Sequence, residues 1–374
     1  MRIGVPREIK DQEYRVALTT GGVESLVHAG HQVLIESGAG LASGFSDDQY
    51  RESGAHIVAS AADVYANAEM IVKVKEPLPQ EYDLLRPGQI LFTYLHLAAN
   101  EELTRCLLDR GVTALAYETV QRADGSLPLL TPMSEIAGRM AVQIGAHFLE
   151  YSHGGRGILL GGVPGVRAGS VVILGAGTVG TNAAQVALGL GARVTIIDIN
   201  LDRLRYLDLV TQGRLNTIAS NRRNIMEAVR RAELVIGAVL VPGAKAPTLV
   251  TEEMIAAMAP GSVVLDVAVD QGGCIETIHP TTHTTPTYLV HGVVHYAVPN
   301  IPGAVPRTST YALSNATLAY ISAVANKGLV QALGDDPALA RGLNVCAGRI
   351  THQAVAQAFN RPYTPPQEAL AMLN

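Results

Sequence analysis

The chain has 374 residues, 48% of them hydrophobic and 16% charged, with 28 Lys and Arg against 33 Asp and Glu for a net charge of −5. That length accommodates two domains, each with its own core, and the composition excludes a disordered chain. The mild charge, without any basic tract, speaks against nucleic acid or an anionic membrane as partner, and three scattered cysteines (Cys106, Cys274, Cys346) fit a reducing compartment better than a disulfide framework.

Met1 leads directly into a strand-like run at 2–5, with no secretory leader in view. No apolar run approaches the roughly 18 residues needed to span a bilayer, so a cytoplasmic protein without a membrane partner is expected. Further strand-like runs at 32–35, 70–74, 90–94 and 112–117 alternate with helical stretches, which marks an α/β unit. The segment 131–151, TPMSEIAGRMAVQIGAHFLEY, reads as a long linking helix: Thr131 can cap it, Pro132 suits its first turn, and apolar residues recur at helical spacing. The glycine-rich stretch 154–169 reads as an irregular loop.

The run 171–198, VVILGAGTVGTNAAQVALGLGARVTIID, carries the most information. Four apolar residues predict a buried parallel strand, and Gly175, Gly177 and Gly180 then form G-x-G-x-x-G where a helix must begin. The first glycine permits the tight turn, the second lets a pyrophosphate approach the backbone, and the third lets the helix pack closely on the strand. Free amides at the helix start would hold the phosphates. A second strand, 193–197, ends at Asp198, placed to accept hydrogen bonds from adenosine ribose hydroxyls and to repel a 2′-phosphate, which favours NAD over NADP. Arg203 and Arg205 lie just beyond, on the solvated face of a helix at 201–210 or near enough to soften that preference.

Strands at 215–219, 234–239 and 262–269 complete the nucleotide domain. The tail reads as helical at 309–333 and 337–359, without further strands, and is expected to pack back against the first domain. The predicted fold is α/β: two Rossmann-like doubly wound domains with a cleft between them, joined by long helices. Residues 1–130 with 305–374 would form the substrate domain and 131–304 the NAD-binding domain.

Ligands of open parallel sheets bind beyond the carboxyl ends of the strands, so polar residues there carry weight. Arg15, in the loop DQEYR, is either a planar clamp for a carboxylate or a surface arginine. Lys75 either polarises a carbonyl or holds a carboxylate oxygen, with Lys73 pointing the same way, or it is an edge lysine that discourages strand addition. His96 is a proton-transfer group near neutral pH or a satisfied core histidine. Asp270, among apolar residues and glycine, accepts turn amides or transfers protons beside the cofactor. Ser134 is a polar residue of a first turn or touches the nicotinamide end. Asp266 lies mid-strand and reads as structural. Cys274, His279, His283, His291 and His295 resemble a metal-ligand spacing, but Pro280, Pro286 and a threonine run argue against a shared helical face, and no metal is expected.

MRIGVPREIKDQEYRVALT, KVKEPLP, LFTYLHLAA, PMSEIAGRMA, SNATL, and DQGGCIET with HYAVPNIPGAVPRTST together resemble the alanine dehydrogenase and pyridine nucleotide transhydrogenase family, on the alanine dehydrogenase side, over nearly the whole chain. The resemblance implies reversible NAD-linked oxidative deamination of L-alanine to pyruvate and ammonium by a homo-oligomer, usually a hexamer. Carried over position by position, it implies that Arg15 and Lys75 bind substrate and that His96 and Asp270 act as acid/base groups. It places Ser134, Gly175, Gly177, Thr178, Val179, Gly180, Asp198, Arg203, Ser220, Val239, Leu240, Val267, Asn300 and Ile301 around NAD. Ile301 stands where the family usually has an unbranched thioether, a change that would alter cofactor fit rather than chemistry. A transhydrogenase-like NAD(H)-binding subunit is the nearest alternative, and Arg15, Lys75 and His96 speak against it. A non-catalytic NAD sensor would bind the nucleotide without alanine-dependent turnover.

Overall fold

The computed structural model describes residues 1–239, 246–269 and 272–373. By contacts the chain divides into Met1–Met133 with Gly303–Asn374, and Ser134–Pro302. Each of these units is built on a mostly parallel sheet with helices in its connections.

In the first unit, β1 (Arg2–Val5), β2 (Gln32–Glu36), β3 (His56–Val58), β4 (Met70–Val72), β5 (Ile90–Thr93) and β6 (Thr113–Ala116) pair in parallel in the order β3-β2-β1-β4-β5-β6. The order reverses between β1 and β4, the switch point at which such sheets bind ligands. β4, β5 and β6 are buried along their whole length, which explains why they read as unbroken apolar runs rather than alternating ones. β3 has no counterpart in the sequence reading, because His-Ile-Val is too short to show a period.

The second unit repeats the plan with β7 (Ser170–Leu174), β8 (Arg193–Asp198), β9 (Asn216–Ala219), β10 (Leu234–Gly237), β11 (Val263–Asp266), β12 (Thr287–Val290) and β13 (Val293–Tyr296). Their order is β12-β13-β11-β10-β7-β8-β9, parallel except for β12, and the reversal falls between β7 and β10. Val171 and Ile173 join one apolar cluster while their neighbours Val172 and Leu174 join another, so this sheet too is covered on both faces. Helix Leu201–Val210 begins where the Asn200 side chain accepts from the amides of Asp202 and Arg203.

The tail departs from the helical expectation. Helix Pro306–Lys327 is followed, after Gly328, by helix Leu329–Asp335, and helix Pro337–Arg341 gives way to β14 (Leu343–Cys346) and β15 (Arg349–Ile350). β14 joins β6 antiparallel and extends the first sheet. The deciding feature is the two-residue turn Ala347-Gly348, both at positive φ (50° and 68°), a hairpin geometry that breaks a helical run. Among the described residues no helix is long and apolar enough to cross a membrane.

Candidate active site

At the carboxyl edge of the first sheet, the loop after β1 brings two acids and a base into the interior. Arg15 is 2% exposed, which removes the surface reading. Its Nε donates to Glu13 Oε1 at 2.7 Å and its Nη2 to Glu13 Oε2 at 2.5 Å, a two-pronged pair of charges shielded from water. Nη1 donates to the Met133 thioether at 3.0 Å. Burial pushes Glu13 upward, but the hydrogen bonds and charge of Arg15 outweigh it and leave the carboxyl below its usual value. The loop itself is held by helix Pro306–Lys327, whose Thr310 and Ser314 hydroxyls accept from the amides of Val16 and Thr19.

Lys75 follows β4, an interior strand between β1 and β5, so it cannot be an edge lysine. Burial lowers its pKa, and neighbouring Arg15 lowers it further. Among the described residues its ammonium meets no carboxylate in an ion pair. Lys73, expected to point the same way, is instead fully buried between Glu8 (3.3 Å) and Glu81 (2.7 Å). The strand ends at Val72, so period two stops before Lys75. Glu8 accepts from the Val74 and Lys75 amides at 2.6 and 3.3 Å and so fixes the backbone from which Lys75 projects.

His96 lies beyond β5 at φ 48°, a conformation uncommon for histidine. Its side chain is 49% exposed, so it is no core histidine. Glu118 holds the turn: its carboxylate accepts from the His96 amide at 2.6 Å and from the Leu95 amide at 3.2 Å, and stands 4.0 Å from the ring Nδ1. The imidazole lies parallel to the Tyr94 ring, whose hydroxyl donates to the Leu129 carbonyl at 2.6 Å. Glu8, Glu13 and Glu118 escaped the sequence reading. Only the clustering of acids around PREIKDQEYR offered a signal.

In the second unit the glycine turn has the expected division of labour. Gly175 takes φ 102°, and a Cβ there would meet the Ala238 carbonyl at 2.6 Å. A Cβ on Gly180 would lie 1.8 Å from the Gly175 carbonyl, so helix Thr178–Gly189 packs hard on β7. At Gly177 an added Cβ would meet nothing within 4 Å, which leaves an open approach to a helix start that no side chain caps. Thr178 and Val179 form that first turn.

Asp198 ends β8, level with Ala219 of β9. Its carboxylate accepts from the Ala176 and Asn200 amides at 2.6 and 2.7 Å. Ser220 follows β9 and donates its amide to the Asp198 carbonyl at 2.9 Å. Arg203 is not a solvated arginine: its Nε donates to the Ala176 carbonyl at 3.1 Å and its Nη2 to Thr181 Oγ1 at 3.0 Å. Arg205 pairs with Asp202 in solvent. Val239 and Val267 follow β10 and β11 on the same edge. Ser134 lies in helix Thr131–Phe148, Asn300 takes φ 62°, and Ile301 is buried in the core of its unit.

Asp270 and Leu240 lie outside the described residues. The strand expected to run to Val269 ends at Asp266, whose buried carboxylate accepts from the Ala268 and Cys274 amides at 3.0 and 2.7 Å and turns the chain out of the sheet. Burial raises its pKa. The cysteine and histidines of the metal-like spacing go to different partners. The Cys274 amide is the one that donates to Asp266, His291 pairs with Glu252 at 2.8 Å, and His295 is buried against Thr277 at 2.7 Å.

The family described as "Alanine dehydrogenase/PNT, N-terminal domain" matches residues 4–137, and its C-terminal counterpart matches residues 141–353. The chain is 60% identical to the alanine dehydrogenase of Methanococcus maripaludis over 371 residues, 99% of this chain and 100% of that protein. It is similar to a solved L-alanine dehydrogenase structure at 59% identity with a TM-score of 0.94, covering 96% of this chain and 99% of that one. A transhydrogenase structure from Sinorhizobium meliloti has a TM-score of 0.82 at 26% identity, covering 95% of this chain and 100% of that one.

Proposed function

The chain belongs to the alanine dehydrogenase/PNT family, and on that premise we propose that it catalyses the NAD-dependent oxidative deamination of L-alanine to pyruvate and ammonium, and the reverse reductive amination. Identity near 60% over almost the full length of both chains carries this reading. The transhydrogenase alternative rests on 26% identity and gives no role to the buried Arg15 and the half-buried Lys75 as binders of an amino-acid carboxylate.

The glycine turn, the uncapped helix start and the Asp198 carboxylate fit a dinucleotide: backbone amides for the pyrophosphate and an acid for the ribose. When bound, NAD supplies the acceptor for the hydride that leaves the alanine Cα. Ser134, Gly175, Gly177, Thr178, Val179, Gly180, Asp198, Arg203, Ser220, Val239, Leu240, Val267, Asn300 and Ile301 are the residues assigned to it.

Arg15 and Lys75 bind the substrate. Glu13 holds the guanidinium along its Nε–Nη2 edge and so sets the plane in which it meets the carboxylate, and Lys75 takes the carboxylate or carbonyl oxygen. Fixing the amino acid in this way lowers the entropic cost of hydride departure. The resulting iminium adds water and loses ammonia, and His96 and Asp270 carry the protons of those steps. A cytoplasmic homohexamer completes the proposal. Exposed Val163 and Val166 in the second unit supply apolar surface for association.

The test is NADH absorbance with purified protein, NAD and L-alanine at alkaline pH, with NADP, D-alanine and L-lysine as controls. Reduction of NAD that depends on L-alanine is expected. Nucleotide binding without turnover would move the reading to a transhydrogenase-like subunit or a sensor.

A further inference from the structure

At the end of helix Thr131–Phe148, His147, Glu150 and His153 converge from positions three residues apart. His153 Nδ1 lies 3.3 Å from Glu150 Oε2 and His147 Nδ1 lies 3.9 Å from Glu150 Oε1. The two imidazole centroids are 3.8 Å apart. One ligand atom from each of the three lies within 4.8 Å of the others, and among the described residues no other set of His, Cys, Asp and Glu does this.

We propose that His147, Glu150 and His153 form a binding site for a divalent first-row transition ion of the zinc type, separate from the catalytic and nucleotide residues. A tetrahedral zinc with ligands at about 2.0–2.1 Å needs ligand atoms about 3.3 Å apart. The His153 Nδ1–Glu150 Oε2 pair already has that spacing, the His147 distance is to the other oxygen, Oε1, and the three ligand atoms, within 4.8 Å of one another, have to close by up to about 1.5 Å through side-chain rotation. Two neutral imidazoles and one carboxylate suit zinc or copper and do not suit magnesium or calcium, which take all-oxygen shells. Three protein ligands leave a fourth position for water, and the exposed cluster is open to it.

The backbone beneath the cluster is fixed by its own hydrogen bonds. The tight helical turn Tyr151–His153 begins two residues after the helix ends, the Gly155 amide donates to the Glu150 carbonyl at 3.1 Å, and the amides of Gly157 and Ile158 donate to the Leu149 carbonyl at 2.8 and 3.2 Å. The Arg156 amide donates to the carbonyl of Gly261, shortly before β11 begins. The cluster therefore sits at the amino-terminal edge of the second sheet, whereas the glycine turn and Asp198 sit at the carboxyl edge.

The experiment is a zinc titration of the full-length protein after dialysis against a chelator, read by competition with a chromophoric chelator. One equivalent per chain is expected, with binding weakened at least tenfold in His147→Ala, His153→Ala and Glu150→Gln. It should be unchanged in His291→Ala and unaffected by excess magnesium. Zinc binding of equal strength in the His147→Ala/His153→Ala double variant, or no stoichiometric binding by the unmodified protein, would overturn the site and leave a hydrogen-bonded surface trio. An anomalous difference map from zinc-soaked crystals of the unmodified protein reads the same point without any substitution: a peak between these three side chains supports it, and peaks only elsewhere overturn it.

Discussion

Glu13 grips Arg15 along one edge of the guanidinium, two residues apart in sequence and both at most 2% exposed. On the proposed function, the pair presets the orientation of the charge that meets the substrate carboxylate. Removing the acid takes a hydrogen-bonded counter-charge from a buried cation, and breaking a buried pair of this kind costs about 3–5 kcal/mol. Glu13→Gln should therefore lower the thermal midpoint and raise the KM for pyruvate at least tenfold, with a smaller change in kcat. Steady-state kinetics beside a melting curve would check this, and an unchanged KM would dismiss Glu13 as a positioning residue.

Lys75 predicts a pH dependence. Burial and the Arg15 charge hold its pKa below the usual lysine value. A carboxylate ligand favours the protonated form, so the affinity gained from Lys75 is present below the lowered pKa and is lost as pH rises through it. Pyruvate KM should climb across that alkaline window in the unmodified enzyme. In Lys75→Arg the climb should vanish, because guanidinium stays charged. A profile identical in both proteins would exclude Lys75 as its source.

Gly177 and Gly180 should separate folding from binding. Gly177→Ala meets open space, so its melting temperature should stay close to that of the unmodified protein while NAD affinity falls at least tenfold. Gly180→Ala would press its Cβ into the Gly175 carbonyl and should lose both. Calorimetric titration of NAD with parallel melts decides the matter. If both variants melt normally, the close packing of helix on strand is not what Gly180 secures.

Asp198 should govern the choice of nucleotide. Its carboxylate also ties the Ala176 amide, so Asp198→Ser should weaken NAD as well as admit a 2′-phosphate. The ratio of kcat/KM for NADP over NAD should rise at least tenfold, about 1.4 kcal/mol of discrimination. A constant ratio would place the selectivity elsewhere, and Arg203, tied to the same turn, would be the next residue to vary.

The sequence alone determined the glycine turn, helix Leu201–Val210 to the residue, the α/β alternation in both halves and the family resemblance. These depend on local periodicity and on glycines whose role is set by backbone sterics. It could not distinguish Lys73 from Lys75, because two lysines two positions apart look alike until Glu8 and Glu81 are brought around the first. Nor could it find the β14–β15 hairpin, whose four-residue first strand gains a place in the sheet only by pairing with β6, more than 200 positions earlier, and whose second strand pairs with the first. Glu13 and Glu118 were invisible for the same reason. An acid becomes a positioning group only when the fold removes its water and supplies a partner, and burial and partners are properties of the tertiary structure.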